Sequence, residues 1–251
     1  PSILPNLLDA AVQNANQGYG DLAMFEVGPQ YADATPKGQS TVATGIRVGT
    51  TGPRDWAKAS RPSDIFDAKA DALALLEALG APTANLQVST DAPTWYHPGR
   101  SGQLRLGPNV LASFGEVHPG LLGEIELRGP AVAFEVFLDR VPTPKSKGPA
   151  RTLLKLSPFQ AVNRDFAFIV AEDVTAEAVI RAARGADKQL ISDVQLFDEY
   201  RGKGMDDGKK SLAIAVTLQP TDATLTDEQI EAVAVKVVAQ VEKHAGGVLR
   251  G

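Results

Sequence analysis

The chain has 251 residues, 43% of them hydrophobic, with a formal net charge of −5 and no cysteine. That length and apolar share suffice for one large or two ordinary cores, and they exclude a disordered chain as the default. The missing cysteines exclude disulfides, thiolate metal sites and cysteine nucleophiles; His97, His118 and His244 stand at no ligand spacing for zinc, and no apolar run reaches the ~18 residues of a membrane-spanning helix.

In chain order, the opening PSILPNLLDAAVQ carries neither an initiator methionine nor a basic stretch before an apolar one, so it reads as an internal start without a secretory signal. Ser2 is placed to cap a helix whose Leu4, Leu7, Leu8, Ala11 and Val12 recur at helical spacing, with Pro5 in the first turn and Gly18-Tyr19-Gly20 at its end. Short β-type runs follow at 22–27, 42–48, 103–106, 110–114 and 132–137, a tempo that predicts a mainly antiparallel sheet. Between them a helix over about 67–79 presents Leu73, Leu76 and Leu79 and stops at Gly80, with Pro82 beyond. VPTPKSKGP, residues 141–149, has three prolines and no apolar period, which marks a linker. The domains expected are 1–142, a linker at 143–156, and 157–251. The last region reads strand 164–170, helix 175–184, strand 190–200, strand 209–218, helix 227–244 and a closing segment 248–249. Thr226 and Gln229 have capping-box spacing, and Ile230, Val233, Val237 and Val241 share a helix face. The order β-α-β-β-α-β is that of the ferredoxin-like split fold, so the fold class expected is α+β.

Charge gives no general polyanion binder: residues 1–148 carry 12 basic and 15 acidic groups, residues 149–251 carry 13 and 15. A nucleic acid would have to be held by a local patch and by shape. FDEYRGKGMDDGKKS, residues 197–211, is the one such patch. It fails as a phosphate loop, because GxxxxGK[ST] would need glycine at 203 and Ser or Thr at 210, where lysines stand. The dinucleotide pattern fails at Asp207, and Asp206 and Asp207 would repel a phosphate. Two readings remain open. One is a solvated hairpin whose glycines supply the turn. The other is an RNA-touching hairpin, with Arg201, Lys203, Lys209 and Lys210 projecting toward a backbone and Phe197 and Tyr200 as stacking groups, one of the two aromatics facing the helices as core. His97 with Arg100, and His118 before Pro119, read as hydrogen-bonded turns in place of a catalytic set. Asp64, Asp67 and Asp71 could suggest a magnesium face, but carboxylates at a helix N-terminus have a simpler cause.

SPFQAVNRDFAFIV, LFDEYRGKGMDDGKKSLAIAVTLQ and TLTDEQIEAVAVKVVAQVEK together resemble the ferredoxin-fold anticodon-binding domain that ends the β subunit of bacterial phenylalanyl-tRNA synthetases. Upstream, LAMFEVGPQY, SDIFDAKADALALLEALG, HPGRSGQLRLG, ASFGEVHPGLL and AFEVFLD resemble the class II synthetase-like module that precedes it. The resemblance implies a tRNA-binding and scaffolding piece that pairs with a catalytic α subunit in an (αβ)2 assembly charging tRNA(Phe) in the cytoplasm. It implies tRNA contacts at Arg164, Phe197, Tyr200, Arg201, Lys203, Lys209 and Lys210. The whole enzyme would use ATP and Mg2+, with no cofactor in this stretch. Class II catalysis needs an arginine two residues before a motif glutamate; Met24 and Glu26 hold those positions, and no third-motif arginine is found, so residues 1–142 are expected to be non-catalytic. The alternatives are a pure interaction scaffold, or a small-molecule enzyme on the split fold.

Overall fold

The computed structural model describes residues 2–52, 55–57, 59–143 and 156–250, and divides into two compact units, residues 1–149 and 150–251. The expected linker, 143–156, lies outside the described residues except for Thr143 and Leu156.

The first unit runs α1 (Leu4–Asn16), β1 (Leu22–Tyr31), β2 (Gln39–Val48), α2 (Ile65–Ala78), β3 (Gln87–Ser89), β4 (Tyr96–Leu106), β5 (Asn109–Val117), α3 (Pro119–Glu124) and β6 (Ala131–Phe137). Its six strands form one antiparallel sheet in the order β1-β2-β6-β5-β4-β3. Because strand side chains alternate, each face collects its own apolar set. On one face Leu4, Leu7, Leu8 and Ala11 of α1 pack against Ile46, Val117 and Ala133. On the other, Ala68, Ala72 and Leu76 of α2 pack against Leu104, Leu111 and Val136.

Two expectations change here. The buried stripe of α2 is the i, i+4, i+8 row Ala68, Ala72 and Leu76; Leu73 flanks it, and Leu79, the C-cap residue, is exposed. Ser2 is not the cap of α1: that position is Ile3, and the Ser2 hydroxyl accepts from the Leu4 N–H at 3.1 Å and donates to Glu135 Oε1 at 2.6 Å. Gly45 lets β2 cross the Phe134 ring, since a Cβ there would stand 2.3 Å from Phe134 Cε1.

The second unit runs β7 (Val162–Ala171), α4 (Ala176–Arg184), β8 (Ile191–Tyr200), β9 (Lys209–Leu218), α5 (Asp227–Ala245) and β10 (Val248–Leu249). The sheet order β10-β7-β9-β8, all antiparallel, with both helices on one face, is the split βαββαβ topology that the sequence pattern predicts. Leu212, Ile214, Val216 and Leu218 of β9 are all buried, against Ile230, Val233, Val237 and Val241 of α5. Each such side chain contributes about 1.5–3 kcal/mol when fully buried. The α5 start is locked by Thr226 Oγ1 accepting from Gln229 N while Gln229 Oε1 accepts from Thr226 N. Its end is set by Gly246 at φ 60°, a left-handed conformation that glycine adopts without strain.

Candidate nucleic-acid interface

The helices cover only one face of the second sheet, and the other face lies open. Residues paired across strands share a face, so the open face is read from the register. Tyr200 pairs with Ser211 and Ser211 with Ile169; Asp198 pairs with Ala213 and Ala213 with Ala167. The middle of this face is therefore made by Ala167 and Ile169 on β7 and Ser211 and Ala213 on β9. Arg250 N donates to Ala167 O at 2.8 Å, which continues the β10 edge by one residue. From that edge the Arg250 guanidinium reaches to 5.8 Å from the Tyr200 ring centroid, although Tyr200 stands on β8 at the far edge. The two side chains thus reach across this face from opposite edges, an aromatic plate and a planar cation. This is the arrangement that stacks an unpaired base and meets a phosphate or a base edge. The Tyr200 hydroxyl donates to Lys203 O at 3.0 Å, which holds the ring to the hairpin.

The structure separates the residues singled out in the sequence. Tyr200 lies on the open face, 38% exposed. Phe197 is 58% exposed at a β-bulge between Leu196 and Asp198, where the extra residue breaks the alternation. The expectation that one of these aromatics faces the helices is overturned, because Leu196, across from Ile214, takes that face. Arg201 bonds Glu199 through Nε at 2.5 Å and also pairs with Glu172, so its charge is already matched. Lys209 Nζ bonds Asp206 Oδ2 at 2.9 Å, and this cation holds the Asp206 carboxyl below the usual carboxylate range. Lys203 is exposed and makes no ion pair among the described residues.

Lys210 is a correction. It was expected to project toward a backbone, but it is only 7% exposed, on the strand face of Leu212, because alternation sends every even residue of β9 to the helix side. Arg164 is exposed at the start of β7 on the Phe166 face, away from Tyr200. Arg250 was missed. Its signal was the closing Val248-Leu249 strand, whose extension places the next residue beside Ala167 on the face without a core.

Elsewhere, His97 Nδ1 accepts from Gly99 N at 3.0 Å, Arg100 forms a bidentate pair with Glu116, and His118 caps α3 by accepting from Gly120 N at 3.1 Å. Asp64 caps α2 through Phe66 N, Asp67 is held by Arg61 at 2.7 and 2.8 Å, and Asp71 by Arg47 at 2.6 and 2.9 Å. Asp64 and Asp67 serve the start of α2, where carboxylates are favoured, and Asp71, midway along the helix, is held by an arginine.

A family model described as the ferredoxin-fold anticodon binding domain matches residues 157–250, and one described as the phenylalanyl tRNA synthetase beta chain CLM domain matches residues 1–138. The chain belongs to the phenylalanyl-tRNA synthetase β chain family. Curated phenylalanine–tRNA ligase β subunits from Rhodospirillum rubrum, Paramagnetospirillum magneticum and Cereibacter sphaeroides are 57%, 55% and 52% identical across 100% of this chain. The chain spans about a third of their length, 31% of the first and 32% of the other two. A solved pyrrolysyl-tRNA synthetase from Desulfitobacterium hafniense overlaps 56% of this chain and 47% of its own at TM-score 0.43 and 20% identity. The β chain family is thus represented by an α+β protein with a six-stranded antiparallel sheet and a ferredoxin-fold anticodon-binding domain.

The family is one of aminoacyl-tRNA synthetase subunits. In the first unit Arg47 and Arg100 are matched by Asp71 and Glu116, and the cavity against α1 is lined by the Asp9 and Glu135 carboxylates, which repel a phosphate. No helix among the described residues is long and apolar enough to cross a membrane.

Proposed function

We propose that this chain is the tRNA-binding and subunit-docking part of a phenylalanine–tRNA ligase β subunit, non-catalytic in itself. The open sheet face of residues 157–250 receives an unpaired base of the tRNA(Phe) anticodon region. One observation carries this reading: Tyr200 and Arg250 meet at 5.8 Å on the sheet face that the helices leave bare, where Ala167, Ala213, Ser211 and Ile169 lie between them. Stacking on Tyr200 supplies the sequence-tolerant part of the affinity, Arg250 the charge, and Asp198, on the same face, a polar partner for a base edge. Lys203 adds a backbone contact at the hairpin, with Lys209, Arg201, Phe197 and Arg164 outside this centre. The test is direct binding of tRNA(Phe) against a tRNA of different anticodon. Equal affinity for the two would overturn the reading.

A second role rests on a different observation. Ala23, Phe25, Val27, Pro29 and Tyr31 of β1 form one exposed face of an edge strand, with Phe25 76% and Val27 54% exposed. A row of that kind marks a protein contact, and the partner proposed is the catalytic α subunit, within an (αβ)2 assembly working in the cytoplasm. ATP and Mg2+ belong to that assembly. Co-purification of the chain with an α subunit tests this role, and a Phe25→Asp, Val27→Asp variant that associates undiminished would refute it.

A further inference from the structure

The sheet of the first unit carries a polar row that its fold does not need. Reading the register from edge to edge, Ser89 on β3 pairs with Gln103, Gln103 with Ser113, Ser113 with Glu135, Glu135 with Thr44, and Thr44 with Glu26 on β1. All six strands thus place a polar side chain on one line, on the face that α1 covers. Thr44, Ser113 and Glu135 are at most 1% exposed. The hydroxyls of Ser89, Thr44 and Ser113 have no hydrogen-bond partner among the described residues, whereas buried polar groups in folded proteins are nearly always satisfied.

The row borders a cavity of about 640 Å³ between α1 and the sheet. Gln103, Ser113 and Glu135 form its polar floor, and Leu4, Leu8, Val117 and Phe137 are among its apolar walls. Glu135 is held rigidly. Its Oε1 accepts from Ser2 Oγ at 2.6 Å, and its Oε2 from Trp95 Nε1 and Tyr96 Oη at 3.1 Å each. Burial first, and then this neighbouring carboxylate, push the Tyr96 hydroxyl well above the ordinary tyrosine range. Three donors fix the carboxylate and leave an acceptor position on Oε1. No cation pairs with Glu135 among the described residues. Arg140, the one basic residue in the lining among the described residues, stacks over Phe137 at 4.2 Å and donates to Val110 O at 3.4 Å. A buried carboxylate without a counter-ion is costly in a low-dielectric interior. The cavity therefore has the form of a cation site with an apolar surround.

We propose that this cavity binds a small protonated organic amine with an apolar or aromatic body, its ammonium group facing Glu135 and Ser113 and its body lying among the apolar walls. This site is separate from the tRNA-binding reading and stands or falls without it.

The chain contains two tryptophans, Trp56 and Trp95. Trp56 is 99% exposed, so Trp56→Phe leaves Trp95, in the cavity lining, as the single reporter at little cost. The full chain carrying this change is titrated with 2-phenylethylamine and with its neutral counterpart 2-phenylethanol. The expected result is a saturable change in Trp95 emission with the amine, and binding of the alcohol weaker by about tenfold or more, the low end for a charge-assisted hydrogen bond. Glu135→Gln should bring the two probes to within about twofold of each other. Ser113→Ala, which removes a hydroxyl with no partner among the described residues and so keeps the fold, should weaken the amine severalfold. If Glu135→Gln does not fold, Ser113→Ala decides alone. The proposal is overturned if the amine gives no saturable change, if the alcohol binds as well as the amine, or if Ser113→Ala leaves amine binding unchanged.

Discussion

Replacing Tyr200 by alanine should cost tRNA binding much and folding little. The ring stands on the open sheet face, outside the cluster of Phe168, Leu212, Val237 and their neighbours that forms the core. Its loss therefore leaves the unfolding free energy within about 1.5 kcal/mol, mostly the hydroxyl's bond to Lys203 O. Stacking of one base on an aromatic ring is worth about 1–3 kcal/mol, which predicts a Kd raised about 5- to 150-fold. Tyr200→Phe keeps the ring and should keep most of the affinity. Arg250→Ala should act differently, lowering the slope of log K against log salt by about 0.7, the share of one phosphate neutralised on a single strand. Because the guanidinium lies 5.8 Å from the ring and both are proposed to hold the same base, the two changes should combine non-additively. Fluorescence anisotropy of labelled tRNA(Phe) at several salt concentrations reads both effects. A Kd for Tyr200→Ala within about twofold of the parent, with an unchanged slope for Arg250→Ala, would remove the open face from the interface.

The hairpin cations should rank by their present partners: Lys203→Ala lowers the salt slope, while Lys209→Ala changes it less because Asp206 already neutralises that ammonium. Thr226→Ala breaks the reciprocal cap of α5 and should lower stability by about 1 kcal/mol, read from the urea midpoint of a two-unit unfolding curve. Gly45→Ala drives a Cβ into the Phe134 ring and should cost about 1–3 kcal/mol in the first unit, a value that an unchanged midpoint would contradict. Asp67 has its carboxyl held below the ordinary value, first by the Arg61 hydrogen bond and, against the effect of burial, by the Asp64 N–H. A lowered folded value means stability that is present above the unfolded carboxylate pKa and lost as pH falls through the folded one. Asp67→Asn should therefore destabilise the first unit at pH 7 and lose less than the parent on acidification below pH about 4, as acid-titrated circular dichroism would show.

The second unit was legible almost residue by residue because its signals are local. The Thr226–Gln229 cap, the alternation of Leu212 to Leu218 and the glycine after α5 each constrain a few neighbouring residues, and the structure places the elements there. The first unit was less legible where packing overrides pattern. The leucines of α2 advertise one face, yet the Ala68-Ala72-Leu76 row takes the sheet, and β3 is three residues whose only reason to be extended is its pairing with β4.

The interface shows the same division more sharply. Lys210 looks like a surface cation because it sits in a run of charges, and only the parity of β9, fixed by Leu212 beyond it, sends it to the buried side. Arg250 looks like a tail residue because it follows a two-residue strand. Its meeting with Tyr200, 50 positions earlier, exists only once β10 has docked on β7. The polar row of the first unit is of this kind too: Ser89, Gln103, Ser113, Glu135, Thr44 and Glu26 are scattered over 110 positions, and nothing local to any of them announces the others. What aligns them is the register of five strand pairs, and that register is set by apolar residues on either side of the row. Side chains that fix a fold can thus be read singly from sequence, whereas those that meet a ligand are brought together by the fold and must be read from its pairing.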